Sequence, residues 1–376
     1  MARFAVLGGG PAGGSAALAL ARGGAEVDLY LPERPGEKPC GGGVPEHVLP
    51  RLAGFDPSPV PAVVSPSALF ENARGAQIAM DLRGLRIFRR KDLDRAIVEA
   101  AVAAGAVPRS RKAERLEWGL QGVRVTAGGE TRGYDWIVGA DGARGLSRRS
   151  LKLAPQGDSI GLGGSLSGFA WDRLVVAISD LADAYLWIFP RPGGASVGIA
   201  YSDGRLSDRA ARLALDGFLD RHLPRGWRDL PGPRYRYPIP VYGDWTLEGV
   251  RRGLARRVLL AGDAAALADP LTREGIRYGM LSGLWAAESL LAGDPESYLR
   301  RLTELSGDLE RAGRARDLFF EGSIGQWMVP FARLHPGIRQ VFSDLLACRQ
   351  PYTGLKRRLL RAAVGLRPAT SPQPLS

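Results

Sequence analysis

Residues Phe4 to Leu7 form an apolar run that leads directly into Gly8-Gly9-Gly10-Pro11-Ala12-Gly13 and then into an alanine-rich stretch and a second apolar run ending at Tyr30. Strand, G-x-G-x-x-G turn, helix and strand make one βαβ unit, which commits the start of the chain to a parallel α/β sheet. Gly8 permits the tight turn, Gly10 leaves room for backbone to approach a pyrophosphate, and Gly13 lets helix pack on strand. Pro11 and Ala12 open a helix whose unpaired N–H groups point at whatever lies at the turn. A dinucleotide is the expected ligand, and a plain βα turn is the alternative. The second strand should end in an acid for the ribose hydroxyls, but Leu31 stands there; Glu33, two residues on, substitutes for it, or the contact is missing.

Two later stretches repeat one idea. The apolar strand around Tyr134 to Val138 ends in Asp141-Gly142, and Arg257 to Ala261 ends in Gly262-Asp263. An acid beside a glycine at a strand C-terminus is where ligands bind in open α/β sheets. After Asp263 come a loop with Pro270 and a helix opening at Gly275-Ile276 and running to about Leu291, which directs a positive dipole end toward its neighbour. Residues from Ile87 onward begin a helix whose stripe Leu93, Ile97, Ala100 and Ala101 faces the core. Arg90, at its start, has two readings, a phosphate contact or a solvated arginine.

Lys38-Pro39-Cys40-Gly41-Gly42-Gly43-Val44-Pro45 cannot be regular structure by composition and reads as a loop made for close backbone approach. It carries Cys40 on the cofactor side, or else is a linker with a buried thiol. Pro57 to Pro66 is proline-rich, and short β-like runs follow at Ser67–Phe70 and Gln77–Met80. β-rich text resumes from Ala154 to about Gly249. Within it, alternation puts Tyr185, Trp187 and Phe189 on one face of a strand ending at Pro190; such a face serves either as core or as pocket.

Ordinary hydrophobic (45%) and charged (24%) content marks a globular chain, and 50 glycines fall largely in short clusters between apolar runs. The formal charge of +12 calls for a partner. With no helix-turn-helix, zinc spacing or aromatic RNA-binding box, nucleic acid is not expected. A membrane surface or phosphorylated substrate is the functional reading, and a generally arginine-rich proteome the plain one. Cys40 and Cys348 are the two cysteines, so a disulfide framework is excluded and a reducing, cytoplasmic setting expected. No metal site is expected. No signal peptide is read at the start, and no stretch reaches the roughly 18 to 20 apolar residues that span a bilayer. From about Asp294 the chain reads as amphipathic helix, ending in Leu355 to Arg367 with five basic residues and no acid. That run suits anionic headgroups and a peripheral membrane contact, or a solvated helix on the core.

One glycine turn, one Asp-Gly and one Gly-Asp together resemble the flavoprotein hydroxylase superfamily with the p-hydroxybenzoate hydroxylase-like fold. The pair Pro39-Cys40-Gly41-Gly42-Gly43 and Tyr185-x-Trp187-x-Phe189-Pro190 resembles, within it, the geranylgeranyl reductase family, over residues 1 to roughly 290. The resemblance implies FAD held by Gly8, Gly10, Pro11, Ala12, Gly13, Glu33, Arg90, Asp141, Gly142, Gly262, Asp263, Pro270, Gly275 and Ile276. Asp263 would contact the ribityl chain and the helix at Gly275 would stabilise charge on the reduced ring. It implies reduction of C=C bonds of a polyprenyl chain held by Gly42, Gly43, Tyr185, Trp187, Phe189 and Pro190, with Cys40 as the active-site cysteine and NADPH or a ferredoxin as electron donor. Arg273 stands where the family commonly has glycine, and either favours a phosphate or points to water. His47 is a candidate near the site or a surface histidine.

The expected architecture is α/β: a discontinuous Rossmann-like FAD-binding domain (1–60, 88–155, 250–293), interleaved with a β-sheet substrate domain (61–87, 156–249), and a C-terminal helical region (294–376) with a basic tail. A flavin monooxygenase or halogenase, the latter needing Lys38 in a tunnel, and a non-catalytic flavoprotein binding a lipid or protein are the alternatives. Oligomeric state is not legible.

Overall fold

The computed structural model describes residues 2–366 apart from 34–35, 52–54, 120–121, 155–158, 182, 233 and 321–323; the end of the basic run at Arg367 and the tail after it lie outside the described residues. Five parallel strands form the first sheet, in the spatial order Val258–Leu260, Trp136–Gly139, Arg3–Leu7, Glu26–Tyr30, Val107–Arg109. The central strand is buried from Phe4 to Leu7, as a parallel strand covered on both faces must be. The helix Pro11–Arg22 is buried over almost its whole length between this sheet and the helix Ile276–Leu291. Small residues make that sandwich dense: a Cβ on Gly283 would lie 2.0 Å from the Ala12 carbonyl oxygen.

The second sheet has eight strands, ordered Arg234–Ile239, Ser159–Ser167, Gly194–Ser202, Ala184–Arg191, Leu174–Ile178, Ala62–Glu71, Gln77–Phe88, Gly43–Pro45. Two expectations are corrected here. The strands starting at Ala62 and Gln77 are much longer than the short runs read from sequence, because Pro66 is accommodated at a register shift between Ser65 and Ser67. The glycine loop also ends in a short strand, Gly43–Pro45, on the sheet edge, where a chain with little side-chain bulk can pair. A three-stranded antiparallel sheet (Arg115–Trp118, Val123–Ala127, Glu130–Tyr134) was not anticipated.

Ile87 and Phe88 end a strand rather than begin a helix; the helix is Arg90–Ala103, with Leu93, Ile97 and Ala101 fully buried. The chain closes with the helices Glu296–Phe320, Ile324–Leu334, Pro336–Leu346 and Leu355–Ala363. Among the described residues no helix is long and apolar enough to cross a membrane.

Candidate cofactor and substrate site

The glycine turn has the geometry its residues dictate. Gly8 sits at φ +98°, and a Cβ on Gly13 would lie 1.8 Å from the Gly8 carbonyl oxygen, so both positions exclude a side chain. At Gly10 a Cβ would meet nothing closer than 3.9 Å, leaving an open place beside the helix start. Gly10 caps that helix without a side-chain hydrogen bond, and no acid lies in its first turn. Open space over unpaired N–H groups is a cradle for an anion such as a pyrophosphate.

A cavity of about 430 Å³ begins at Gly10, Pro11 and Ala12 and brings together residues from distant parts of the chain. Cys40, Gly42, Gly43, Arg90, Gly142, Gly262, Asp263, Gly275 and Ile276 line it, as do Tyr185, Trp187 and Phe189. The aromatic alternation thus faces the cavity, while Leu186 and Ile188 on the other face are buried in a separate core cluster. Trp187 packs where Gly198 has no side chain, a Cβ there falling 2.3 Å from the ring, and Phe189 likewise covers Gly41. The Tyr185 hydroxyl donates to the Thr272 carbonyl at 2.8 Å, and burial pushes its pKa up to about 12, so it remains neutral.

Some residues named from sequence lie off the cavity. Glu33 is exposed, Pro270 and Pro190 are buried, and none of the three lines the cavity. Asp141 turns its carboxylate onto the local turn, accepting from the Ser147 amide at 3.0 Å and from the Ser147 hydroxyl. Burial raises its pKa. Arg90 is not a solvated arginine: it is buried, and its guanidinium donates to both Asp94 oxygens at 3.0 and 2.9 Å. His47 is half-buried and pairs through Nε2 with the Cys348 carbonyl at 3.2 Å.

The Pro/Gly loop is fixed from outside itself. Glu37 accepts from the amides of Arg90 and Lys91 at 3.1 and 3.0 Å, capping that helix, and from Arg191 at 2.8 Å. The Cys40 carbonyl accepts from Ser196 at 3.0 Å and from Arg191, and the Cys40 sulfur accepts weakly from the Gly42 amide at 3.4 Å. Lys38 reaches Asp263, Nζ to Oδ2 2.6 Å. Burial works against the Lys38 charge, but Asp263 outweighs it and holds the ammonium above its ordinary value.

Arg273 does not point to water: it borders the cavity from within the fold. Its side chain is fully buried, donating to the Asp183 carboxylate at 2.9 Å, the Asp183 carbonyl at 3.1 Å and Ser159 at 3.1 Å. At φ +56° it occupies the left-handed region, where a glycine has no Cβ penalty, which is the physical sense of a glycine at this position. The guanidinium lies 5.4 Å from the Tyr185 ring and 5.7 Å from that of Phe320.

Sequence reading missed the far end of the cavity. Phe319, Phe320, Met328, Phe342, Leu345 and Leu359, all from the C-terminal helices, line it. Their helical apolar spacing was visible, but nothing in it says which cavity they close.

The donor set fits FAD: an open glycine turn at a helix N-terminus, an acid at Asp263, and the helix start at Gly275 all border one cavity. No family model matches the chain. It is 29% identical over 344 residues to the chloroplastic geranylgeranyl diphosphate reductase of Oryza sativa subsp. japonica, covering 82% of this chain and 70% of that one. It is 28% identical to the geranylgeranyl diphosphate reductase of Rhodobacter capsulatus (76% and 74% covered) and to the digeranylgeranylglycerophospholipid reductase of Methanothrix thermoacetophila (77% and 78%). Among solved structures, a geranylgeranyl bacteriochlorophyll reductase-like protein from Thermoplasma acidophilum superposes with a TM-score of 0.72 at 20% identity, covering 96% and 98% of the chains. A flavin-dependent brominase superposes with 0.68 at 15% identity, covering 97% and 99%. The fold is the one shared with flavin-dependent enzymes such as that brominase. The sequence relatives named above are geranylgeranyl reductases, the family that the motifs resemble.

Proposed function

We propose that the protein reduces C=C bonds of a polyprenyl chain. The observation that carries this reading is the cavity itself, continuous from Gly10 past the aromatic face to the apolar side chains of the C-terminal helices. An isolated alkene offers no charge to grip, so a pocket for it is apolar and shaped by aromatic rings. Tyr185, Trp187 and Phe189 provide such a wall, with the loop of Cys40, Gly42 and Gly43 beside them.

In this reading Gly8, Gly10 and Gly13 shape the pyrophosphate cradle, Asp263 takes the ribityl hydroxyls, and the amides at Gly275 and Ile276 favour negative charge at the ring edge. FAD, when bound and reduced, supplies the hydride. The protein's own residues orient the chain against it and exclude water. Cys40 stands on the substrate side of the cavity as the residue whose replacement tests the loop's role. Electrons come from NADPH or a ferredoxin, and the reaction takes place at a membrane surface touched by the basic C-terminal helix. A halogenase would need Lys38 free in a tunnel, and its pairing with Asp263 does not favour that reading.

Anaerobic photoreduction of the FAD-loaded protein, followed by mixing with geranylgeranyl diphosphate or a geranylgeranylated glycerolipid, tests the proposal. Flavin reoxidation without oxygen, with a product two hydrogens heavier per bond reduced, is expected. Reoxidation that waits for oxygen would overturn it in favour of a monooxygenase. Cys40→Ala should keep FAD, because the loop is anchored through its carbonyl, and should slow prenyl-dependent reoxidation.

A further inference from the structure

Two of the C-terminal helices are amphipathic in an unusual sense: each has one side on the cavity and an apolar stripe facing outward. In the helix Ile324–Leu334, Met328 lines the cavity while Trp327, Phe331 and Leu334 are 53%, 50% and 74% exposed. Spacings of four and three residues put these three on one stripe. In the helix Leu355–Ala363, Leu355 and Leu359 line the cavity. At about 100° per residue, Leu360 and Val364 lie on the opposite side, with Lys356 on one flank and Arg357 and Arg361 on the other. Leu360 and Val364 are 60% and 71% exposed, and no acid occurs from 355 to 366. Both helices pack on Pro336–Leu346.

The cavity reaches the surface at the end of the helix Glu296–Phe320. Leu318 lines it and is itself 60% exposed. One turn earlier on that helix, Ala315 packs on the small cluster of Ala312, Leu345 and Tyr352, as Leu355 does, so both helices border that cluster.

We propose that this helical cap is a docking face for a bilayer containing anionic lipid, and that the gap edged by Leu318, Leu355 and Leu359 is the portal through which a prenyl chain passes from bilayer to cavity. The inference rests on the proposed prenyl substrate only for what enters. Charge decides the occupant. Apolar residues flanked by cations on one helix, and an aromatic stripe on another packed against the same neighbour, suit the interface between acyl chains and anionic headgroups. A continuous apolar path from that face to the pocket keeps a long hydrocarbon out of water throughout.

The test uses FAD-loaded protein and phosphatidylcholine vesicles with or without phosphatidylglycerol, read by cosedimentation and by tryptophan emission. The expected result is binding to the anionic vesicles, with a blue shift that Trp327→Phe removes. The exposed pair Lys356→Gln and Arg357→Gln should weaken binding by roughly thirtyfold while FAD is retained. Leu318→Glu should leave vesicle binding largely intact and raise KM for a vesicle-embedded prenyl lipid. Absence of binding, binding indifferent to the charge pair and to Trp327, or a concentration-dependent dimer that buries Trp327 would each overturn the docking face. An unchanged KM in Leu318→Glu would overturn the portal. Vesicle binding by a protein whose reduced flavin no prenyl lipid reoxidises would sink the proposed reaction and leave the docking face standing.

Discussion

Lys38 Nζ lies 2.6 Å from Asp263 Oδ2, joining the Pro/Gly loop to the strand-end acid across 225 residues of chain. The contact makes Asp263 both a candidate ribityl ligand and the counter-ion of a largely buried cation. Replacing it therefore does two things at once. Asp263→Asn should weaken FAD binding about tenfold, the scale of one lost charge-assisted hydrogen bond, in a fluorescence titration. Lys38→Met should weaken it less, since a carboxylate left without its lysine still accepts from hydroxyls.

The pair also sets a pH dependence. A lysine whose folded pKa is raised adds stability that is complete below its ordinary value of 10.5 and is lost as pH rises through the folded value. The melting temperature of wild type minus that of Lys38→Met should thus be flat from pH ~8 to ~10 and shrink above that. A difference that changes between pH ~7 and ~8 would show that Lys38 is not held by Asp263 in this way.

Gly10 and Gly13 should separate fold from ligand. Gly13→Ala puts a Cβ 1.8 Å from the Gly8 carbonyl and should destabilise the apoprotein by about 3 kcal/mol or prevent folding, by urea titration. Gly10→Ala meets only ordinary contacts, so the apoprotein should melt within a degree or so of wild type and fail to hold FAD. An alanine at residue 10 that binds FAD normally would remove the pyrophosphate from the turn.

Arg273→Gly relieves a left-handed backbone by roughly 1 kcal/mol but strands the buried Asp183 carboxylate, which costs about 3 to 5 kcal/mol. A net loss of roughly 2 to 4 kcal/mol is expected by denaturant unfolding, and Asp183→Asn in the same chain should restore at least half of it.

Gly41→Ala would drive a Cβ to 2.2 Å from the Phe189 ring. Displacing that ring should raise KM for a prenyl substrate with FAD affinity unchanged; a matched loss of FAD would show that the loop serves the cofactor instead.

The amino-acid sequence by itself determined the βαβ start, the two acid-bearing strand ends, the helix from Ile276 and the aromatic alternation, because each is written in neighbouring residues: glycine where backbone turns tightly, apolar runs of strand or helix period. Tertiary structure alone decided what those pieces face. Asp141 was legible as a strand-end acid, but only packing showed its carboxylate closing onto Ser147. Arg273 was legible as a departure from glycine, but its partner, Asp183, comes from a distant hairpin. The C-terminal helices were legible as amphipathic, yet their place over the cavity depends on contacts between chain segments hundreds of residues apart, such as Arg333 with Gln77. Local pattern reports the period and polarity of an element; the identity of its neighbours is set by how all the apolar faces can be buried at once, and that information resides in no single stretch.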